Sequence, residues 1–244
     1  MTRRWKLLRR RLAAVPVLGG TVRAVRRWAV PQQRMIHRLQ AQQGADLLQP
    51  FPNTSADRHP ALFAFAQQRL AERPGARVLS FGCSTGEEPL TLRRYLPHAA
   101  IEGIDINPRS IAIARATAAR LGHADIQFTV AAEPLPDAKP YDAVFCLSVL
   151  RHGQLDSERP QRCEVLLPFA KYERALAALD RVLHPGGLLF LWGSHFRFAD
   201  SALAPRYRPL DVPGMRPYAG LLYGPDNARL DAGTVRQFVF EKLR

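Results

Sequence analysis

The segment Ser80-Phe81-Gly82-Cys83-Ser84-Thr85-Gly86-Glu87-Glu88-Pro89-Leu90 decides the fold of this 244-residue chain. It continues a predicted strand at 77–81 and leads into a predicted helix from about 86 to 95, so Gly-x-x-x-Gly falls at a strand-to-helix turn. Such a turn directs backbone N–H groups and the positive end of the helix dipole to the carboxyl edge of a parallel sheet. The segment therefore predicts a nucleotide-binding turn.

Acidic residues limit the ligand that this turn can accept. Glu87 and Glu88 follow the turn directly, which disfavours a pyrophosphate and suits cationic groups such as the amino group and sulfonium of S-adenosylmethionine. Asp105 ends the next predicted strand, 101–106, where its carboxylate can accept hydrogen bonds from both ribose hydroxyls. Dehydrogenases share that acid, but the full G-x-G-x-x-G spacing is absent here. The alternative is an ordinary turn with a surface aspartate.

The rest of the chain alternates strands and helices after residue 76. Further strands are predicted at 126–130, 141–147, 188–192 and 237–242, with helices following Asn107-Pro108 and from about 169 to 183. This alternation predicts an α/β domain with a parallel sheet covered on both faces. The near-continuous apolar run 141–147 is typical of a central strand.

Four motifs resemble the CheR-type methyltransferases, which methylate glutamates of chemotaxis receptors. They are the quoted turn, Gly-Ile-Asp-Ile-Asn at 103–107, Tyr-Asp-Ala-Val-Phe-Cys at 141–146 and Leu-His-Pro-Gly-Gly at 183–187, and the likeness covers roughly 76–193. The resemblance implies a class I, Rossmann-like methyltransferase sheet of about seven mostly parallel strands, the last antiparallel. It implies that the cofactor is S-adenosylmethionine and that residues 131–135 line the cofactor's adenine. The predicted cofactor site comprises Gly82, Cys83, Ser84, Thr85, Gly86, Glu87, Asp105, Ile106, Ala132, Glu133 and Cys146.

The acceptor side departs from the CheR pattern. Leu147-Ser148 follows Cys146 where CheR enzymes have Arg-Asn, and His152 stands where they have a tyrosine. A hydroxyl or amine acceptor would benefit from a base just past the fourth strand, and His152 is the predicted candidate. A carboxylate acceptor needs no base, and His152 would then only position it; the alternative for His152 is a loop residue packed on the sheet edge. The methyl acceptor stays unidentified, with a small-molecule or protein oxygen or nitrogen favoured.

Two other classes of function stay open. The domain could bind S-adenosylmethionine without turnover while a partner holds its N-terminus, or it could methylate protein glutamates as the CheR enzymes do. Methylation of a nucleic-acid base is disfavoured, because Cys146-Leu-Ser-Val has neither an Asn/Asp-Pro-Pro-aromatic run nor a Pro-Cys nucleophile. No metal site is predicted, since the three cysteines lack C-x-x-C spacing.

Charge is concentrated at the N-terminus. Residues 1–45 contain eleven of the 35 Lys and Arg and no acid, whereas the remaining 24 bases face 21 acids, so the rest of the chain is nearly neutral at +3. We predict a basic helical extension at 1–45, with two helices within 3–41, and a catalytic domain at 46–244. The extension suits a membrane surface or an acidic partner. No transmembrane segment is predicted, and the expected location is cytoplasmic, peripheral at the inner membrane surface if the extension binds it.

Overall fold

The computed structural model describes residue 41 and residues 47–51, 54–135, 139–231 and 233–243. The second of two compact units, Phe51–Arg244, carries every element described below. The predicted basic helices at 3–41 lie outside the described residues, so the division into extension and domain stays a prediction. Within the described part of the chain, no helix is long and apolar enough to cross a membrane.

Seven strands form one sheet in the order β3-β2-β1-β4-β5-β7-β6. They are β1 (Arg77–Phe81), β2 (Ala100–Asp105), β3 (Gln127–Val130), β4 (Tyr141–Leu147), β5 (Leu183–Trp192), β6 (Tyr207–Leu210) and β7 (Val239–Lys242). The first five are mutually parallel, whereas β7 is antiparallel to both β5 and β6. This architecture confirms the predicted Rossmann-like α/β fold with an antiparallel last strand.

Among the residues that the structure describes, five α-helices connect or cover the strands. They are α1 (Pro60–Arg69), α2 (Glu87–Tyr95), α3 (Pro108–Arg120), α4 (Gly153–Glu158) and α5 (Phe169–Val182). Asn107 caps α3 as predicted: its side chain accepts hydrogen bonds from the N–H groups of Arg109 and Ser110, and Pro108 occupies the first helical position. Helix α4 lies between the predicted strand 141–147 and the helix predicted from about 169, where the sequence analysis predicts no helix.

One apolar core holds α1, α2 and α3 against one face of the sheet. Phe63, Leu92 and Ile111 come from these helices, and they pack with Phe145 of β4 and Phe190 of β5. The rings of Phe145 and Phe190 stack with centroids 4.1 Å apart. Because strand side chains alternate, the neighbouring buried residues of β4 and β5 face the other side, where α5 contributes its own buried stripe.

The fifth strand differs from its prediction. It begins at Leu183 and not at Leu188, because Leu183 pairs with Tyr141 before the register shifts between Tyr141 and Ala143. The segment His184-Pro185-Gly186-Gly187, which precedes the predicted strand at 188–192, is therefore an irregular part of the strand. The carboxyl ends of β1, β2, β4 and β5 still meet at one edge of the sheet, which is where ligands of such folds bind.

Candidate active site

The turn between β1 and α2 has the backbone conformation that only small residues adopt easily. Gly82 and Gly86 have φ angles of +71° and +94°. A Cβ atom on Gly82 would lie 2.5 Å from Val149 Cγ2, and one on Gly86 would lie 2.9 Å from Ala114 Cβ. Both glycines are therefore required by conformation and by close packing.

Backbone hydrogen bonds join this turn to the end of β2. The N–H groups of Gly82 and Cys83 donate to the carbonyl of Ile104 at 2.8 and 3.0 Å. Asp105 Oδ2 accepts from the N–H of Ser84 at 2.8 Å, and Oδ1 accepts from the N–H of Asn107 at 2.8 Å. The structure thus brings Asp105 against the glycine turn, as the sequence predicted.

The Asp105 carboxylate is partly exposed and holds further acceptor capacity. Burial raises the pKa of Asp105, and the hydrogen bonds from the N–H groups of Asn107 and Ser84 oppose that rise. Each oxygen uses one acceptor site on the backbone, which leaves sites for two hydroxyl donors. This is the chemistry that a ribose requires.

Ser84 supplies an observation that points to a ligand. Its Oγ is buried and has no hydrogen-bond partner among the described residues, although the hydroxyl lies on the glycine turn. Buried polar atoms are nearly always hydrogen-bonded in folded proteins. The turn, Asp105 and Ser84 together fit a nucleoside cofactor whose polar groups would satisfy Ser84.

The two glutamates after the turn are not equivalent. The Glu87 side chain is half-buried, and its carboxylate accepts from Thr85 Oγ1 at 2.8 Å. Glu88 is buried and accepts from Ser80 Oγ at 2.8 Å, and burial raises the pKa of Glu88 to about 7. Adjacent helix residues point about 100° apart, so Glu88 faces the sheet while Glu87 is more exposed. The sequence analysis counted both glutamates as acids beside the turn, whereas Glu88 is buried against Ser80.

The remaining residues predicted to bind the cofactor differ in their exposure to solvent. Ile106 and Ala132 are half-buried, and the N–H of Ala131 donates to the carbonyl of Asp105 at 3.1 Å, which places the segment after β3 beside the turn. Glu133 is exposed and pairs with Arg181 at 3.4 Å. The thiols of Cys83 and Cys146 are buried, and burial raises the pKa of both.

The loops after β4 and β5 meet beside the glycine turn. The N–H of Ser148 donates to the carbonyl of Trp192 at 2.7 Å. Gly193 has a φ of +67°, and a Cβ atom there would lie 2.9 Å from Ser148 Oγ. Val149, which packs on Gly82, follows directly. These contacts form a continuous path from the cofactor turn to the end of β5.

His152 caps helix α4 and is 5% exposed. Its Nδ1 accepts from the N–H of Gln154 at 3.3 Å. Burial is the main cause that lowers the pKa of His152 to about 4, with electrostatic effects of the neighbouring His195 and Lys171 in the same direction, so the imidazole is neutral at pH 7. An acceptor at Nδ1 places the single ring proton on Nε2, where it can donate a hydrogen bond.

Sequence reasoning gave too little weight to a group of polar residues around His152. His195 is completely buried, with Nδ1 3.0 Å from the carbonyl of Leu221 and Nε2 3.2 Å from the carbonyl of His152. Arg151 Nη2 pairs with Asp156 Oδ2 at 2.5 Å. Together these contacts hold the loop after β4 against the loop after β5 and the segment around Leu221.

Arg58 is a further residue that the sequence analysis missed. It precedes α1, and its Nη2 donates to the carbonyl of Leu147, the last residue of β4, at 3.3 Å. Its charge also opposes the rise in the pKa of Glu88. Arg58 belongs to no short motif and lies 89 positions before Leu147, so no local signal identifies it.

Comparisons with known proteins find similarity to methyltransferases. Residues 79–191 match a family model described as a methyltransferase domain. The chain is 35% identical over 121 residues to demethylmenaquinone methyltransferase of Thermus thermophilus, covering 48% of this chain and 47% of that protein. It is 28% identical over 204 residues to the probable biofilm formation methyltransferase WspC of Pseudomonas putida, covering 63% of this chain and 45% of the relative.

Among solved structures, TrmN from Thermus thermophilus superposes with a TM-score of 0.46 and 22% identity. That superposition covers 75% of this chain and 49% of TrmN. The chain spans about half or less of the length of the curated relatives named above.

Proposed function

We propose that residues 79–191, which match a methyltransferase domain model, form a class I S-adenosylmethionine-dependent methyltransferase domain, and that the whole protein transfers the methyl group of S-adenosylmethionine to an acceptor. One observation carries the proposal: Asp105 is hydrogen-bonded to Ser84 of the glycine turn at 2.8 Å, with acceptor capacity left for a ribose. The bound cofactor would supply an electrophilic methyl carbon on a positively charged sulfur.

We assign the cofactor's parts to separate residues of the site. Asp105 would bind the ribose hydroxyls, and Ser84 would donate to or accept from the cofactor with its unpaired hydroxyl. Glu87 would attract the cationic amino group, and Arg58 would balance the carboxylate at the same end. The segment 131–135 would border the adenine.

The protein's contribution to the rate would come mainly from position. Methyl transfer from a sulfonium is a direct displacement, and holding two reactants in line can lower a barrier by roughly 7–11 kcal/mol. The contacts of Val149 with Gly82 and of Ser148 with Gly193 would fix the distance between cofactor and acceptor.

We propose that His152 contacts the methyl acceptor. The hydrogen bond that its Nδ1 accepts from Gln154 limits what the ring can do there. The Nδ1 lone pair is engaged at the helix cap, so the neutral ring would offer Nε2–H as a donor. A donor can orient an acceptor oxygen or a carboxylate. To act as a base through Nδ1, His152 would first have to break its hydrogen bond with the N–H of Gln154.

Two finer proposals concern the acceptor and the location of the protein. The CheR-like motifs support a protein carboxylate acceptor, whereas Leu147-Ser148 and His152 favour a small molecule. The eleven bases without an acid at 1–45 support contact with an acidic partner or with the inner membrane surface from the cytoplasm.

Turnover tests the proposal. The purified chain is incubated with S-adenosylmethionine carrying a labelled methyl group and with cell extract, and label is followed into protein, lipid, RNA and small molecules. We expect label in one fraction and none with an Asp105→Ala variant. Tight cofactor binding with no transfer to any fraction would instead establish a non-catalytic binding module.

A further inference from the structure

The carboxyl group of Glu88 lies between helix α2 and the end of β1, on the protein side of the glycine turn. Glu88 is the second residue of α2, and its Oε1 accepts from Ser80 Oγ at 2.8 Å. Ser80 is the last but one residue of β1 and is completely buried, and Gly82 follows two positions later. The carboxyl group therefore joins the two elements that the turn connects, at the base of the predicted cofactor site.

The groups around this carboxyl leave room for a change of its charge. Its hydrogen-bond partner, Ser80, is a hydroxyl and not a cation. Arg58, in the segment before α1, acts on it through space. The titratable groups from the turn and from β4 are Cys83 and Cys146; burial is the main reason that the pKa of both thiols is raised, and the charge of Glu88 acts in the same direction. Such thiols are uncharged at neutral pH and offer Glu88 no counter-charge.

The Glu88 side chain gains or loses its proton near neutral pH. Burial raises the pKa of Glu88 from 4.5 to about 7, while the hydrogen bond from Ser80 and the charge of Arg58 oppose that rise. At pH 7 the protonated and ionised forms of Glu88 therefore have similar populations. A new positive charge close to such a group shifts it towards the ionised form.

Methyl transfer removes one positive charge from the cofactor site. The sulfur of S-adenosylmethionine is a cation, whereas the sulfur of the demethylated product, S-adenosylhomocysteine, is neutral, and the two molecules otherwise carry the same groups. Two unit charges roughly 10 Å apart, at an effective dielectric constant of about 20, change each other's ionisation by about one pH unit. Gly82 lies two residues beyond Ser80, roughly 7 Å along an extended chain, so a ligand on the turn falls within this range.

We propose that Glu88 makes the cofactor site distinguish S-adenosylmethionine from S-adenosylhomocysteine by charge. Glu88 gives up its proton to solvent when the sulfonium binds, and it takes a proton up from solvent when the neutral product remains. The proposal rests on the methyltransferase function proposed above. It makes Glu88 a residue that determines specificity and favours product release without touching the ligand.

The test measures binding of both ligands to the full chain by calorimetry between pH 5 and pH 9. Each titration is repeated in two buffers of different ionisation enthalpy, which gives the number of protons released. Glu88→Gln removes the titrating group, whereas Ser80→Ala keeps it and removes the hydrogen bond that opposes the rise in the pKa of Glu88. Glu102→Gln is the control, because it changes a buried-side carboxylate of β2 that accepts from Tyr141. Circular dichroism shows whether each variant is folded.

We expect the preference of the wild type for S-adenosylmethionine over S-adenosylhomocysteine to increase roughly five- to tenfold from pH 5 to pH 8. At pH 6.5, S-adenosylmethionine should release about 0.5 proton more per bound molecule than S-adenosylhomocysteine. In Glu88→Gln the preference should vary less than about twofold over this range. Ser80→Ala should move the increase to higher pH, and Glu102→Gln should keep the wild-type profile.

The proposal is overturned if the preference of the wild type does not change with pH, if both ligands release equal numbers of protons, or if Glu88→Gln keeps the wild-type profile. If Glu88→Gln binds neither ligand, Ser80→Ala decides the question, and an unchanged profile in that variant overturns the proposal. A folded wild-type protein that binds neither ligand would instead overturn the methyltransferase function itself.

Discussion

Replacing Gly86 with alanine tests the packing that forms the cofactor turn. Alanine in the left-handed conformation at φ +94° costs roughly 1–2 kcal/mol. The new Cβ would also lie 2.9 Å from Ala114 Cβ and 3.2 Å from Ala114 Cα, so the backbone of α3 would have to move, and overpacking of this kind costs about 1–3 kcal/mol. We expect a total loss of about 2–5 kcal/mol in the free energy of unfolding.

Gly122→Ala is the matched control. Gly122 has a similar φ of +77°, but nothing lies within 4 Å of a Cβ at this position. It should lose only the conformational part, about 1–2 kcal/mol. Any gain from a less flexible unfolded chain is common to both variants and cancels in their difference.

Urea unfolding followed by circular dichroism at 25 °C measures both variants. Gly86→Ala should be less stable than Gly122→Ala by about 1–3 kcal/mol, and it alone should lose affinity for S-adenosylmethionine. If the two variants differ by less than about 0.5 kcal/mol, close packing of α2 on α3 does not define the turn, and the reasoning fails.

Three further perturbations address single groups of the site. Ser84→Ala should leave stability within about 1 kcal/mol but weaken cofactor binding two- to tenfold, the loss of about one neutral hydrogen bond; unchanged affinity in calorimetry would show that the hydroxyl meets no ligand. Burial raises the pKa of Glu88 from 4.5 to about 7, so its contribution to stability is present below pH 4.5 and is lost as the pH rises through 7. Glu88→Gln should therefore gain about 3 kcal/mol relative to wild type between pH 4.5 and pH 8 in urea titrations, and a constant difference would contradict the burial. His152→Ala should be about 1 kcal/mol less stable than His152→Asn, because asparagine can still cap α4, and equal stability would argue against the cap.

The fold and the glycine turn could be predicted because their signals are local. The glycine spacing, the cap at Asn107 and the apolar run 141–147 each lie within one short segment, and the structure places a turn, a helix start and a central strand there. The position of Asp105 beside the turn could be predicted because this residue ends the strand that neighbours β1.

The rest depends on contacts between distant segments. The early start of β5 comes from pairing of Leu183 with Tyr141, which no local pattern encodes. Glu87 and Glu88 look alike in sequence, yet helix geometry buries only Glu88, beside Ser80 of β1. The contact of Arg58 with β4 likewise joins residues far apart in the chain.

Calorimetric titration of the purified chain with S-adenosylmethionine tests the central claim most directly. We predict saturable one-to-one binding by wild type, loss of that binding in Asp105→Ala, and retained binding in Glu102→Ala, which changes a carboxylate of the same strand that instead accepts from Tyr141. No binding by a folded wild-type protein, or equal affinity in Asp105→Ala and wild type, would contradict the assignment of the cofactor to the glycine turn and Asp105.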